Sequence, residues 1–121
     1  MPLLSHYRNC TAYITKDGST IREIMHPNVH GNQKQSLAEA ILEPGQLTQK
    51  HKHLKSEELY YILQGEGNML LGENSFMVST GDCICIPPDT PHQIKNTGST
   101  ELKILCCCSP AYAHEDTRLI E

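Results

Sequence analysis

The chain has 121 residues, of which 20% are charged, with a formal net charge of -4 at pH 7. That length supports one domain around a single core, and no apolar run approaches the roughly 18 residues that would span a bilayer as a helix. No basic run or basic helical stripe is present either, which sets aside nucleic acid and anionic membranes as partners.

The first residues show no basic cluster ahead of an apolar stretch, so no secretory leader is read and the expected compartment is the cytoplasm. Residues 1–20 include a polar loop, Lys16-Asp17-Gly18-Ser19. From there on, Gly, Pro and Asn/Asp/Ser punctuate the chain roughly every eight to twelve residues, with short apolar and β-branched runs between them. Strands are expected over residues 21–25, 36–42, 58–63, 68–71, 75–78, 83–86, 92–95 and 101–108. Turns are expected at Pro44-Gly45, Gln64-Gly65-Glu66-Gly67, Gly72-Glu73-Asn74, Gly81-Asp82, Pro87-Pro88-Asp89 and Thr97-Gly98-Ser99, among residues that preset or tolerate unusual φ. This is the rhythm of an all-β sandwich or barrel. Residues 109–121 follow a proline and have no periodicity. Both ends read as irregular extensions that either lie across a cavity or reach a neighbouring subunit. The domain expectation is a single unit over 1–121, with a core barrel over about 36–108.

Six cysteines are present, three of them consecutive at Cys106-Cys107-Cys108, and none forms a C-x-x-C pair. Successive side chains on a strand point to opposite faces, so this triplet does not make a zinc claw. Reduced cysteines acting as small hydrophobes are expected.

The chemistry concentrates in His51-Lys52-His53-Leu54-Lys55-Ser56-Glu57-Glu58. On a strand, His51 and His53 share a face, whereas on a helix they would lie about 200° apart. In the strand beginning at Glu58, one face carries Glu58, Tyr60 and Ile62 and the other Leu59, Tyr61 and Leu63. With neighbouring strands about 4.8 Å apart, Glu58 is expected on the same wall as the two histidines. Two imidazoles and a carboxylate in that arrangement leave open positions on an octahedral metal. Glu57 is the alternative carboxylate. His92 is a candidate fourth donor, and Pro87, Pro88 and Pro91 stiffen the turn that leads to it.

The spacing of these residues resembles a known family. Gly45, five residues, His51 and His53, four residues, Glu58, six residues and Gly65 is similar to the first motif of the cupins. Gly81, five residues, Pro87, then His92, three residues and Asn96 is similar to the second, and fifteen residues separate the two. Asp89 stands where the second motif usually has glycine, but aspartate tolerates left-handed backbone. The resemblance implies a double-stranded β-helix, or jelly-roll, barrel of six to eight strands. Inside it, a divalent transition metal (iron, manganese, nickel, copper or zinc) would be held by His51, His53, Glu58 and His92.

Such a site suits an enzyme acting on a small molecule. An iron- or manganese-dependent dioxygenase is the first expectation, and a redox-silent isomerase or lyase follows closely. The alternative is a non-catalytic small-ligand binder or sensor. His26 and His114 are candidates for an acid or base beside the metal or for a lid, and Tyr60 is a candidate for hydrogen bonding to substrate. The resemblance further implies a homodimer joined through edge strands, with residues 21–25 and 36–42 as contributors.

Overall fold

The computed structural model describes residues 2–121 and consists of two antiparallel sheets packed face to face. In chain order the strands are β1 (Tyr13–Ile14), β2 (Thr20–Met25), β3 (Ser36–Leu42), β4 (His51–His53), β5 (Glu57–Gln64), β6 (Glu66–Leu71), β7 (Asn74–Ser79), β8 (Cys83–Ile86), β9 (His92–Asn96), β10 (Leu102–Ser109) and β11 (Thr117–Leu119). One sheet has the order β1-β2-β3-β10-β5-β8 and the other β11-β4-β9-β6-β7. A single helical turn, α1 (Pro27–His30), follows β2; the His26 ring caps it by accepting from the Asn28 amide. Among the described residues no helix is long and apolar enough to cross a membrane.

The expected strands all form, with boundaries moved by one or two residues, and the period-two pattern sets what they bury. Along β5, Glu58, Tyr60 and Ile62 point inward, while Leu59, Tyr61 and Leu63 are exposed. Along β10, Leu102, Ile104, Cys106 and Cys108 point inward; all six cysteines are unpaired. Two neighbouring inward stripes therefore change character in the same direction: β5 runs from Ile62 through Tyr60 to Glu58 and β10 from Leu102 to Cys108, while on the opposite sheet β9 carries Ile94 and then His92. The register places Ile104 beside Ile62, Cys106 beside Tyr60 and Cys108 beside Glu58. One end of the interior is thus an apolar plug of Leu42, Ile62, Met69, Ile94, Leu102 and Ile104, each at most 1% exposed. The other end holds the polar site.

Two expectations are revised. The terminal segments are less irregular than their sequence suggests: β1 and β2 extend the six-stranded sheet, and β11 forms the edge of the five-stranded one. Strands of two or three residues are too short for alternation to reveal them; β1 pairs locally with β2, whereas the partner of β11 is the remote β4. Strand 36–42 is not an open edge, because β3 is paired on both sides; β2 is covered by β1 only at Thr20 and Ile21, so 22–25 has no strand partner on its outer side. Asp89 adopts φ 61°, the left-handed geometry expected of it.

Candidate metal centre

His51 and His53 alternate inward from β4, and His92 enters from β9 directly opposite His51. All three are buried, with ring centroids 4.2 Å apart for His51 and His92, 5.2 Å for His51 and His53, and 5.4 Å for His53 and His92. One ring nitrogen of each lies within 4.8 Å of the others.

The opposite ring nitrogens show how the rings are oriented. His51 Nδ1 lies 2.8 Å from the Gln49 carbonyl and His92 Nδ1 2.9 Å from the Thr90 carbonyl. A carbonyl only accepts, so both Nδ1 atoms carry hydrogen. His53 Nδ1 lies 3.0 Å from Thr117 Oγ1, whose own hydrogen goes to the Ala113 carbonyl at 2.9 Å. His53 Nδ1 is therefore also the donor. All three Nε2 lone pairs are left facing the interior, the tautomer and orientation a metal-ligating imidazole needs.

Glu58 meets them from the other side. Its Oε1 is 3.2 Å from His53 Nε2 and 3.5 Å from His92 Nε2, while its Oε2 accepts from the Cys108 thiol at 3.3 Å. The inward parity expected for Glu58 holds, and Glu57 is exposed. The expectation of a common wall does not hold: β4 belongs to the five-stranded sheet and β5 to the six-stranded one, so Glu58 faces the histidines across the interior. The connection through Leu54, Lys55 and Ser56 crosses between sheets, and Asp116 braces it. The Asp116 carbonyl accepts from the Leu54 amide at 2.9 Å, and its carboxylate accepts from the Lys55 and Ser56 amides.

These donors fit a divalent transition ion. Glu58 Oε1 and His92 Nε2 are buried with no hydrogen-bond partner, although they lie only 3.5 Å apart. Two electron-rich atoms that approach in a dry interior need a cation between them. Three imidazoles and a carboxylate suit iron, manganese, nickel, copper or zinc. Burial opposes ionisation of Glu58; donation and positive charge from His53 and His92, when those imidazoles are protonated, hold the carboxyl down at about 2, and a bound cation takes that part when their Nε2 atoms carry no hydrogen. Burial, with His92 alongside, also lowers the pKa of His51.

A cavity of about 40 Å³ adjoins the histidines, with Tyr13, Asp17, Glu23, Thr48, Tyr60 and Tyr112 among its lining residues and no lysine or arginine. The tail closes it. Tyr112 stacks edge-on against His53 at 5.7 Å, and its hydroxyl contacts Thr15 at 3.1 Å and His114 Nδ1 at 3.0 Å. Its backbone amide donates to Ser36 Oγ and its carbonyl meets His26 Nε2 at 2.7 Å. Of the two placements open for residues 109–121, the structure shows the one across the cavity.

Of the other candidates, Tyr60 lines the cavity, whereas His26 and His114 do not and reach it only through Tyr112. Asp17, Cys108 and Tyr112 were not singled out from the sequence. Alternation over 101–108 would have assigned Cys108 to the inner face; nothing local marks Asp17 or Tyr112. Thr117 is the one partner of His53 Nδ1, so Thr117→Val is expected to weaken Co²⁺ or Zn²⁺ binding about 10- to 100-fold in calorimetric titration.

Comparison with known proteins agrees with this geometry. A family model described as a cupin domain matches residues 38–108. An uncharacterized protein of Methanocaldococcus jannaschii is 56% identical over 117 residues, covering 97% of this chain and 94% of its own. An oxalate-binding protein of Thermotoga maritima is 34% identical over 84 residues, or 69% of this chain and 65% of its own. Among solved structures, a variant of the Streptomyces nucleoside dehydratase Pac13 with uridine superposes with a TM-score of 0.82 at 19% identity, covering 100% of this chain and 92% of its own. Sequence, fold and site geometry agree: the chain belongs to the cupin family.

Proposed function

We propose that the chain is a metal-dependent enzyme that holds one divalent transition ion on His51, His53, Glu58 and His92 and acts on a small oxygen-donor molecule. The observation that carries this reading is the partnerless pair of buried atoms, Glu58 Oε1 and His92 Nε2. When bound, the ion supplies Lewis acidity toward a substrate oxygen. The protein's own groups do the rest. The Nδ1 contacts aim the imidazoles, and Cys108 orients Glu58. Burial and the nearby Glu58 charge push the Tyr60 phenol pKa well up, so it stays protonated and can donate a hydrogen bond. Tyr112 shields the site from water.

A cavity of about 40 Å³ has room for roughly three water-sized groups. That favours one small ligand over a chelating substrate with O₂ beside it, so we place the redox-silent isomerase or lyase ahead of the dioxygenase. Turnover that survives removal of O₂ is the expected result; a strict O₂ requirement would restore the dioxygenase reading. The non-catalytic binder is the second reading, supported by the similarity to an oxalate-binding protein. Stoichiometric binding without product would select it. The proposed setting is a cytoplasmic homodimer, joined through the exposed apolar surface of Leu59, Tyr61 and Leu63 rather than through β2 or β3. A light-scattering mass of one chain would remove the dimer.

Elemental mass spectrometry of protein purified without chelators tests the centre itself. Near-stoichiometric metal in the wild type, lost in His51→Ala, is expected. A wild type that stays empty after reconstitution would overturn the proposal.

A further inference from the structure

Asp17 lies in the turn between β1 and β2, which is closed by hydrogen bonds from the Gly18 amide to the Thr15 carbonyl and from the Thr15 amide to the Ser19 carbonyl, both at 3.0 Å. The turn is tied directly to the histidine strand. The Asp17 carbonyl accepts from the Gln49 amide at 2.8 Å, and the Gln49 carbonyl accepts from His51 Nδ1 at 2.8 Å. Within the Asp17 carboxylate, Oδ1 is held by the Ser19 amide at 2.9 Å and the Ser19 hydroxyl at 2.7 Å. Oδ2 lies 3.5 Å from His51 Nε2, and the Asp17 side chain is only 11% exposed.

Because His51 carries its hydrogen on Nδ1, Nε2 offers a lone pair to Asp17 Oδ2. An acceptor again faces an acceptor, at the spacing that separates Glu58 from His53 and His92. Two donors held at right angles on one transition ion stand about 3 Å apart. A carboxylate with one oxygen locked by two donors and the other facing an imidazole lone pair is preorganised for a cation.

We propose that Asp17 is a second carboxylate of the centre, directed at the same ion as Glu58 and the three histidines. This rests on the metal reading above and narrows the ligand class. Two carboxylates balance a divalent ion, so the loaded centre adds no net positive charge. With Asp17 bound, five protein groups would leave one position on a six-coordinate ion, and among the described residues no lysine or arginine on the cavity wall compensates an anion. Glu23, on the same wall, keeps Oε2 buried and without a partner while Oε1 accepts from Tyr13 at 2.8 Å. That oxygen is an acceptor for a ligand hydroxyl. The site therefore suits a neutral hydroxyl compound bound through one oxygen, in preference to a dianionic chelator.

Asp17→Asn keeps an oxygen for Ser19 and removes the charge. Metal-stripped full-length wild type and variant are titrated with Co²⁺, following affinity by calorimetry and coordination by the visible spectrum. Both Co²⁺-loaded proteins are then titrated with oxalate. The expected result is Co²⁺ binding weakened at least about tenfold in the variant, with a stronger visible band as coordination number falls and tighter oxalate binding. Equal Co²⁺ affinity and identical spectra would overturn the role of Asp17 while leaving the metal centre intact. A wild type that binds no Co²⁺ would overturn both. If Asp17→Asn does not fold, Ser19→Ala takes its place: it keeps the charge but frees Oδ1, and a loss of about threefold in Co²⁺ affinity is expected, with no loss overturning the proposal.

Discussion

Glu58→Gln is expected to lower affinity for a divalent ion at least about 100-fold, beyond the range seen when a supporting partner of a metal ligand is removed, while leaving the metal-free protein at least as stable as the metal-free wild type. The two effects share one cause. In the wild type, Glu58 Oε1 faces His53 Nε2 and His92 Nε2 with no hydrogen to share. A glutamine amide offers two hydrogens to those lone pairs, which satisfies buried atoms whose isolation costs about 1–3 kcal/mol. The charge that draws in a cation is lost at the same time. Differential scanning calorimetry reads both effects: Zn²⁺ at 100 times the wild-type Kd should raise Tm in the wild type, by about 2.7 kcal/mol of added stability, and add no more than about 0.4 kcal/mol to the variant. An equal metal-induced rise in both proteins would remove Glu58 from the centre.

Acidification should separate the two ligand types. Facing a bound cation, or protonated imidazoles that hold its carboxyl at about 2, Glu58 stays ionised through the mildly acidic range. Ion release on lowering pH must then follow imidazole protonation. The pKa of His51 is lowered by burial, with the charge of His92 adding to it, so its Nε2 stays available to the ion below the ordinary histidine value. A single release step below that value is expected, with none at the ordinary glutamate value.

Gly65→Ala should destabilise the fold by about 2–5 kcal/mol, combining a left-handed backbone cost of about 1–2 kcal/mol with an overpacking cost of about 1–3 kcal/mol. Gly65 has φ 92°, and a Cβ there would stand 2.9 Å from the Glu101 carbonyl oxygen and 3.2 Å from Leu102 Cα. Both neighbours are backbone, so no rotamer change relieves the contact. A fall in Tm of about 10 °C is the corresponding scale for a domain of this size. Gly81→Ala is the comparison: it has a similar φ of 94° but nothing within 4 Å of its Cβ, so it should show the backbone cost alone. Equal losses in the two variants would mean that close approach is not the reason for glycine at position 65.

Short-range properties of the sequence determined a large part of this protein. Period-two alternation placed His51 with His53 and Glu58 with Tyr60 and Ile62, because successive side chains on a strand must point to opposite faces. The glycine and proline spacing marked where strands end, and Asp89 took the left-handed turn its side chain tolerates. Tertiary structure decided what pairs with what. Glu58 reaches the histidines from the opposite sheet because the segment 54–56 crosses between layers, a choice no local pattern records. The short strand β11 exists only because a remote partner, β4, supplies its hydrogen bonds. Asp17, Thr117 and Tyr112 lie 20 or more positions from the nearest of the three histidines. They meet those histidines because the first hairpin and the last strand fold over the same polar end of the interior, which is a product of long-range pairing.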